Sequence, residues 1–385
     1  MIAPLLLALC ARQAQDAPIQ KLSLPNGVVL YAEEMPKSSG FSLYLFVSSL
    51  GRPEPEGVVG QRHLLEHLLA KGTNRDLDAK LEVRGVSLAA DTLRDGIRFE
   101  IEGPSDQLSM AIESLKELVT APSFEKEEVE REVRVIEQEF ALRSVSSRLT
   151  AALWEHAYGE EESDPYGSVA GLSTATPETL AATFAGLFKA SSMTVTVVGD
   201  IDAGSAIAAM TSAFQNLDKN DLSERNDRKQ FTRTSVGFAS STPGVGRAVF
   251  VPSFDHATTL AVLAAAFAIS NEVNGAQMVY TPTPLGGLVS VVHPQREGLA
   301  TVDGVIRGSP GRLFVIGRTA LKAYFETIDD RSRDKARVYG QMLLLKRSFR
   351  IDSVKRLAAS VTEQQFMAAV MKFHSSNAVR VGGTR

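Results

Sequence analysis

The chain has 385 residues, which is too long for one ordinary hydrophobic core and suits two domains. Hydrophobic residues make up 44% and charged residues 22%, a composition typical of a globular protein rather than a disordered chain. The net charge of −4 argues against a nucleic-acid partner, whose phosphates need a concentrated basic face.

The N-terminus opens with an apolar segment. Residues 2–11 are apolar, too short to span a bilayer, and followed by small and polar residues, as in an export signal and its cleavage zone. We therefore predict a signal segment at 1–18 and an exported protein, periplasmic or extracellular. A plain N-terminal tail or a wrongly set start is the alternative, because no Lys or Arg precedes the apolar run. A lipid anchor at Cys10 is not predicted, because bulky Leu9 stands where a small residue is expected.

Further along, strand and helix patterns are mixed. In chain order, strands are predicted at 27–34, 41–49 and 98–103, and helices at 56–71, 105–119 and 124–143, the last opened by Pro122. The apolar run 260–270 is too short for a membrane span and predicts a buried helix, so no transmembrane span is expected. Strands and helices do not alternate strictly, which favours an α+β fold.

The sequence also contains an internal repeat. TPETLAATFAGLFKASSMTVTVVGD (176–200) matches TEQQFMAAVMKFHSSNAVRVGG (362–383): each has a Thr cap, an amphipathic helix, a Ser-Ser turn and a Val-rich strand ending in Gly. The repeat predicts two similar domains at 19–214 and 231–385, joined by a polar linker at 215–230. Coincidence between two ordinary helix-turn-strand units is the alternative.

The segment GQRHLLEHLLAKGT (60–73) carries the side chains most suited to chemistry. At about 100° per residue, His63, Glu66 and His67 share one face of a helix, and four leucines occupy the opposite arc. Two imidazoles four residues apart can bind one Zn²⁺, and a carboxylate beside them can deprotonate its water. This is the inverted zinc-protease motif, H-x-x-E-H.

Two histidines leave a catalytic zinc one protein ligand short. The acidic helix offers Glu132 and Glu139, which lie seven residues apart on one stripe beside an apolar stripe. A solvated helix face is the alternative interpretation of this pair. Four neighbouring glutamates are predicted to be solvated: Glu125, Glu127, Glu128 and Glu130.

Other titratable groups lack such a context. The basic run 331–356 favours a solvated helix over a partner contact. The remaining four histidines are predicted to be non-catalytic: His156, His256, His293 and His374.

Six segments in order give the chain a specific resemblance. They are LPNGVVLY, GRPEPEGVVGQRHLLEHLLAKGT, RGVSLAADTLRD, FEKEEVEREVRVIEQEF, DPYGSVAGLSTATPETL and TVTVVGD, within residues 24–200. Through them the chain resembles the pitrilysin and insulinase family of zinc metallopeptidases, which includes the mitochondrial processing peptidases and their bacterial relatives. The resemblance implies two homologous domains, each a mixed, mainly antiparallel sheet packed with helices.

The resemblance also implies roles for individual residues. It makes His63, His67 and Glu139 the zinc ligands and Glu66 the general base. Glu132 would be a supporting carboxylate behind the ligands.

Two positions depart from the family pattern. In the strand SLAADT, Ala89 and Ala90 would contact the substrate, but the family often has Asn where Ala89 stands. Single-chain members also carry an Arg and a Tyr seven apart that steady the tetrahedral intermediate, and here Tyr280 and Gly287 stand in those places. The chain would then lack this oxyanion clamp.

These observations predict a zinc endopeptidase subunit that hydrolyses extended peptides and pairs with a related chain, which completes the site. The alternative is a non-catalytic scaffold or assembly subunit of the same fold. A structural zinc module is disfavoured, because such sites usually have four protein ligands, often cysteines, and Cys10 is the only cysteine.

Overall fold

The computed structural model describes residues 18–74, 76–159, 164–219, 243–283, 286–295, 297–298, 302–308, 310–345, 350–374 and 377–382. The predicted signal segment lies outside these residues, apart from its last position. Most of the predicted linker at 215–230 also lies outside them.

The described residues form strands and helices in both halves of the chain. The strands are β1 (Ile19–Ser23), β2 (Val29–Glu34), β3 (Phe41–Ser48), β4 (Ser87–Leu93), β5 (Gly96–Gly103), β6 (Met193–Gly199), β7 (Val245–Val251), β8 (Gln277–Thr283), β9 (Gly286–His293) and β10 (Val379–Gly382). The first helices are α1 (Gln61–Ala70), α2 (Leu77–Glu82), α3 (Leu108–Thr120), α4 (Lys126–Leu142), α5 (Val145–Tyr158), α6 (Val169–Leu172), α7 (Pro177–Leu187) and α8 (Ala203–Phe214). The later helices are α9 (Ala257–Glu272), α10 (Val302–Gly308), α11 (Pro310–Asp330), α12 (Ser332–Leu345), α13 (Ile351–Ala359) and α14 (Glu363–Lys372).

The chain divides into two compact units, each built from three stretches of sequence. Unit 1 takes the described residues within 1–137, 165–224 and 328–348, and unit 2 those within 138–164, 225–327 and 349–385. Relative to the predicted domains 19–214 and 231–385, each unit includes one stretch from the other half. The domain boundaries stay a prediction, since the linker that would separate them lies largely outside the described residues.

Unit 1 contains a six-stranded sheet in the order β1-β2-β6-β3-β5-β4. Neighbouring strands are antiparallel, except for the parallel pair of β2 and β6. β3 is buried along its whole length near the centre, whereas β4 is a partly exposed strand at one edge. The sheet is therefore mixed and mainly antiparallel, as predicted.

Helix α12 packs against this sheet. Its Tyr339 ring lies 5.2 Å from the ring of Tyr31, and Thr196 donates a hydrogen bond to the carbonyl of Ala336 at 3.0 Å. Gly340 faces an aromatic ring of β3 so closely that any side chain would clash. Helix and strand can approach this closely because glycine has no Cβ.

Unit 2 contains a four-stranded antiparallel sheet in the order β10-β7-β9-β8. This repeats the order and the directions of β6-β3-β5-β4 in unit 1. Helix α5 contributes Leu149, Leu153 and Trp154 to a fully buried cluster with residues of β7, β9 and β10. The two units thus share one strand order, and in each a 14-residue helix supplied by the other half of the sequence packs on the sheet.

The repeated segments adopt matching structures. Thr176 and Thr362 each accept a hydrogen bond from the backbone three residues on, Thr179 and Gln365, at 3.2 Å. The side chains of those partners bond back to the threonine amides at 2.9 Å, which completes a capping box at the start of α7 and of α14. β6 and β10 then run antiparallel to β3 and β7. The Ser-Ser turn of the second copy lies outside the described residues.

Helix bounds agree with the sequence to within three residues except at one end. The helix predicted at 56–71 begins only at Gln61, because Gly57 and Gly60 have φ of 86° and 108°, which right-handed helices exclude. The apolar run 260–270 forms the interior of α9, buried as predicted. Across the described residues, none of the helices has both the length and the apolarity that crossing a membrane requires.

Candidate metal centre

Helix α1 is held at its first turn by a carboxylate from the preceding loop. Gly60, at the N-cap, has no side chain to cap the helix, and Glu54 accepts hydrogen bonds from the amides of Gly60 and Arg62 at 3.1 and 2.7 Å. A negative charge at a helix N-terminus is favourable because it meets the unpaired amides and the positive end of the dipole. A Cβ on Gly60 would lie 3.0 Å from the Cα of Gly167, so two glycines allow the chain segments to touch.

Three side chains of α1 converge as the sequence predicts. One ligand atom from each of His63, Glu66 and His67 lies within 4.8 Å of the others. Among the described residues, this is the one group of three His, Cys, Asp or Glu side chains whose ligand atoms lie that close together. His63 and Glu66 are buried, and His67 is half-buried. The four leucines on the opposite arc are buried in the core: Leu64, Leu65, Leu68 and Leu69.

The ring of His63 is oriented by the segment after α5. Its Nδ1 lies 3.3 Å from the carbonyl oxygen of Tyr166, and the two rings meet edge to face at 5.5 Å. A carbonyl only accepts, so Nδ1 is the donor in this contact, and Nε2 is the ring nitrogen that faces His67.

The ring of His67 is oriented by α4. Its Nδ1 lies 3.2 Å from Glu132 Oε2, and Lys71 donates to the other carboxylate oxygen. Burial raises the pKa of Glu132, but the hydrogen bonds from Lys71 and His67 outweigh it and hold that pKa below its ordinary value. The ionised carboxylate accepts the Nδ1 proton of His67, so here too Nδ1 is the donor.

The two Nε2 atoms face each other at 3.2 Å. Two lone pairs at that distance need a shared cation, either a proton or a metal ion. Two nitrogens bound to one tetrahedral zinc at 2.0–2.1 Å would lie about 3.3 to 3.4 Å apart, close to the observed separation. The donor set therefore fits a divalent metal that prefers imidazole nitrogen.

Glu66 stands beside the imidazoles. Its Oε2 lies 3.9 Å from His63 Nε2 and accepts a hydrogen bond from the hydroxyl of Thr92 at 3.0 Å. Thr92 belongs to the edge strand β4. The carboxylate is thus contacted by a second element, the edge strand of the sheet.

The acidic helix α4 matches the sequence in part. Glu132 is buried, which excludes a solvated face for this residue, and Glu139 is half-buried two turns later. Residues of α4 beyond Glu137 belong to unit 2, and the role of Glu139 as a metal ligand stays a prediction. Glu128 was expected to be solvated, and this expectation is wrong. It is 5% exposed, and its pairs with Lys71 and Arg131 offset the cost of burying its charge.

The proposed substrate and clamp positions lie on strands. Ala89 is exposed and Ala90 half-buried on β4, at the edge of the six-stranded sheet. In unit 2, Tyr280 lies on β8 with a buried hydroxyl whose burial raises its pKa, and the carbonyl of Gly287 accepts a hydrogen bond from Tyr158 at 3.4 Å. Their contacts with substrate stay predictions.

Two other histidines serve the fold. His256 caps α9 by accepting a hydrogen bond from the amide of Thr258 at 3.1 Å, and buried His293 contacts the carbonyl of Asn274 at 2.9 Å. These partners are backbone groups, and the non-catalytic role of the two histidines stays a prediction.

Sequence reasoning missed three side chains that support the centre: Glu54, Lys71 and Thr92. Glu54 had a readable signal, a carboxylate shortly before a helix that begins after glycine and therefore lacks its own capping side chain. Lys71 and Thr92 had none, because each meets its partner through a contact between distant parts of the sequence.

Residues 28–164 match the family model described as Insulinase (Peptidase family M16). Among curated proteins, the chain is similar to an uncharacterised zinc protease of Mycobacterium leprae (24% identical over 214 residues, 53% of this chain and 47% of that protein). It is also similar to the mitochondrial-processing peptidase subunit beta of Saccharomyces cerevisiae (31% identical, 30% of this chain, 26% of that protein). A third similar protein is the probable zinc protease PqqL of Escherichia coli (26% identical over 58% of this chain and 26% of that protein). The chain spans less than half the length of each of these relatives.

Solved structures show the same fold over nearly the whole chain. A protease from Helicobacter pylori superposes with a TM-score of 0.79 at 16% identity, covering 94% of this chain and 98% of that one. A peptidase M16 inactive domain from Pseudomonas fluorescens superposes with a TM-score of 0.77 at 19% identity, covering 96% of this chain and 98% of that one. The first half of the periplasmic protease PqqL from Escherichia coli superposes with a TM-score of 0.69 at 17% identity, covering 95% of this chain and 92% of that one.

Proposed function

Because the chain belongs to the insulinase family of peptidases, we propose that it is a zinc-dependent endopeptidase subunit that hydrolyses extended peptides. One observation carries the proposal. His63 and His67 present their Nε2 atoms to each other at 3.2 Å while each Nδ1 faces an acceptor, and the carboxylate of Glu66 lies beside them.

The metal would be held by His63, His67 and Glu139. Two imidazoles and one carboxylate are a common ligand set for a catalytic zinc, which keeps a further position open. Zinc bound there would supply Lewis-acid polarisation of the scissile carbonyl and would lower the pKa of a water toward neutrality. Glu132 supports the set by accepting the Nδ1 proton of His67, which keeps that ring in its metal-binding tautomer.

Glu66 acts as the general base. It takes a proton from the attacking water and passes it to the leaving amine, so that it serves as base and then as acid within one turnover. Burial of Glu66 limits the contact of its carboxylate with bulk water, which favours transfer of the proton to the leaving amine.

The substrate would be an extended peptide added to the edge of the sheet of unit 1. β4 is the terminal strand of that sheet and is partly exposed, so it can pair with one more strand. Ala89 and Ala90 would then lie under the peptide. Backbone pairing depends little on which side chains the peptide carries. This kind of binding suits a peptidase that acts on unfolded segments.

A related chain would complete the site. Tyr280 and Gly287 stand where an Arg and a Tyr would steady the tetrahedral intermediate, so a partner is needed to supply these two side chains. The relatives named as a processing peptidase subunit and as one half of PqqL are consistent with paired subunits. We also propose export of the chain, in keeping with its apolar opening and with the periplasmic relative.

The second candidate is a non-catalytic scaffold of the same fold, since one structural neighbour is described as an inactive domain. The presence of His63, Glu66 and His67 in one cluster favours the enzyme. A subunit with only a scaffold role has no need for buried, correctly oriented imidazoles.

Metal analysis and a quenched-peptide assay, with and without a related chain, test the proposal. We expect Glu66→Gln to keep its zinc and lose hydrolysis, and His67→Ala to lose its zinc. Turnover retained in Glu66→Gln would reject the proposed base. Full activity of the purified chain alone would reject the need for a different partner but leave the metal site intact.

A further inference from the structure

Thr92 touches the carboxylate of Glu66 from the edge strand. Its hydroxyl donates a hydrogen bond to Glu66 Oε2 at 3.0 Å. Side chains alternate along a strand, so Thr92 points toward α1 while its neighbour Asp91 points to the other face and pairs with Arg98. The alternation of side chains along β4 therefore places the hydroxyl of Thr92, and not the carboxylate of Asp91, beside Glu66.

A carboxylate on a glutamate side chain needs such a contact to keep one orientation. Glu66 can rotate about three side-chain bonds, and a backbone helix alone does not fix the last of them. Thr92 is β-branched and has few rotamers, and its backbone is held in register opposite Ile97 of β5. The hydroxyl is thus a rigid donor, and the oxygen that it engages is the one 3.9 Å from His63 Nε2.

We propose that Thr92 is a positioning residue for the general base: its hydroxyl fixes the carboxylate of Glu66 relative to the metal ligands. This inference rests on the proposed peptidase function. Proton transfer falls off steeply with misplacement, so loss of the Thr92 hydrogen bond to Glu66 reduces the rate of the chemical step more than it reduces substrate binding. Because the same strand would pair with the peptide, β4 aligns both the substrate and the base that acts on it.

The test uses the full chain, with its related partner chain where activity requires it. Thr92→Val removes the hydroxyl at nearly constant shape, and Thr92→Ser keeps it. Thr196→Val is the matched control, because the hydroxyl of Thr196 is also on the sheet of unit 1 but bonds to the carbonyl of Ala336, away from α1. For each protein, kcat, KM and zinc content are measured.

We expect Thr92→Val to lower kcat about tenfold, because the variant loses one hydrogen bond to a charged group. KM should change less than about twofold, and the zinc content should stay unchanged. Thr92→Ser should restore kcat to within about threefold of the wild type. Thr196→Val should lower the denaturation midpoint without lowering kcat.

A second measurement does not depend on activity. Denaturation midpoints of Thr92→Val, Glu66→Ala and the double variant form a cycle, in which we expect non-additive shifts because the two side chains share one bond. Additive shifts would overturn the proposal. So would wild-type kcat in Thr92→Val, or a loss of zinc in Thr92→Val that Thr92→Ser does not repair.

These outcomes separate the two proposals. A zinc-loaded wild type that cleaves no peptide, alone or with a related chain, counts against the proposed function, and the cycle then decides the Thr92 contact by itself. An active wild type beside an equally active Thr92→Val counts against the role of Thr92 only.

Discussion

Helices α1 and α9 occupy the same place in the two units but have different contents. In unit 1, α1 follows β3, which lies between β6 and β5 in the sheet. In unit 2, α9 follows β7, which lies between the corresponding strands β10 and β9. α9 is apolar and buried on nearly every side. α1 is buried as well, yet one of its faces carries two imidazoles and a carboxylate.

The difference shows what the fold requires and what the chemistry adds. The position requires a buried helix, and the buried side chains of α9 are apolar except for Thr259, whose hydroxyl bonds to backbone carbonyls just before the helix. α1 buries polar groups, which is unfavourable unless each finds a partner. Its partners come from elsewhere in unit 1: the Tyr166 carbonyl, the Glu132 carboxylate and the Thr92 hydroxyl. The polar face is therefore supported by contacts that a purely structural helix does not need.

Replacing one histidine in each unit gives the largest contrast. We expect His63→Ala to lose zinc and to lower kcat/KM by about a thousandfold or more, because the site loses a metal ligand. His256→Ala removes only the cap of α9, so it should destabilise by about 1 kcal/mol and keep zinc and activity. Metal analysis and the peptide assay measure both. Loss of zinc in His256→Ala would break the contrast.

The core of unit 2 should respond to truncation without a change in metal content. Leu260 of α9 is fully buried, so Leu260→Ala should lower the free energy of unfolding by about 2 to 5 kcal/mol through lost burial and a residual cavity. Val315→Ala on α11 is the control, since Val315 is 64% exposed and should change stability by about 0.5 kcal/mol or less. Chemical denaturation measures both, and zinc per folded molecule should stay constant.

Glu132 tests how far the polar face of α1 depends on α4. Glu132→Gln weakens the acceptor for His67 Nδ1 and removes one of the two carboxylates paired with Lys71, so zinc affinity should fall about 10- to 100-fold. Glu130→Gln is the matched control, because Glu130 is exposed and pairs loosely with Lys126 at 3.9 Å. Zinc titration against a competing chelator compares them. Equal affinities in the two variants would show that Glu132 does not support the ligands.

The capping boxes should give the smallest effect, and the same one in both units. Thr176→Ala and Thr362→Ala each remove the acceptor at a helix start, so each should destabilise by about 1 kcal/mol. The corresponding serine variants retain the acceptor and should recover most of the loss. Thermal unfolding measures all four. A cap that matters in one unit only would weaken the inference of a structural repeat.

Local patterns account for what sequence reasoning predicted well. The helical spacing of His63, Glu66 and His67 places them on one face in any α-helix, whatever surrounds it. The threonine caps of the two repeated helices follow from equally local rules. The prediction for Glu128 failed because a partner from another helix, Lys71, accompanies its burial, although a helix of many glutamates suggests solvation. The start of α1 was predicted too early for a local reason, the positive φ of Gly57 and Gly60.

By itself, the sequence determined the α+β class, the repeated helix-strand units and the helix face that carries His63, Glu66 and His67. These depend on periodicity and capping, which act over a few residues. Only the tertiary structure decided the tautomers of the two imidazoles, the burial of Glu132 and the contact between Thr92 and Glu66. The physical reason is that a hydrogen bond between distant residues depends on how strands and helices pack, and a spacing along the chain carries no information about that packing.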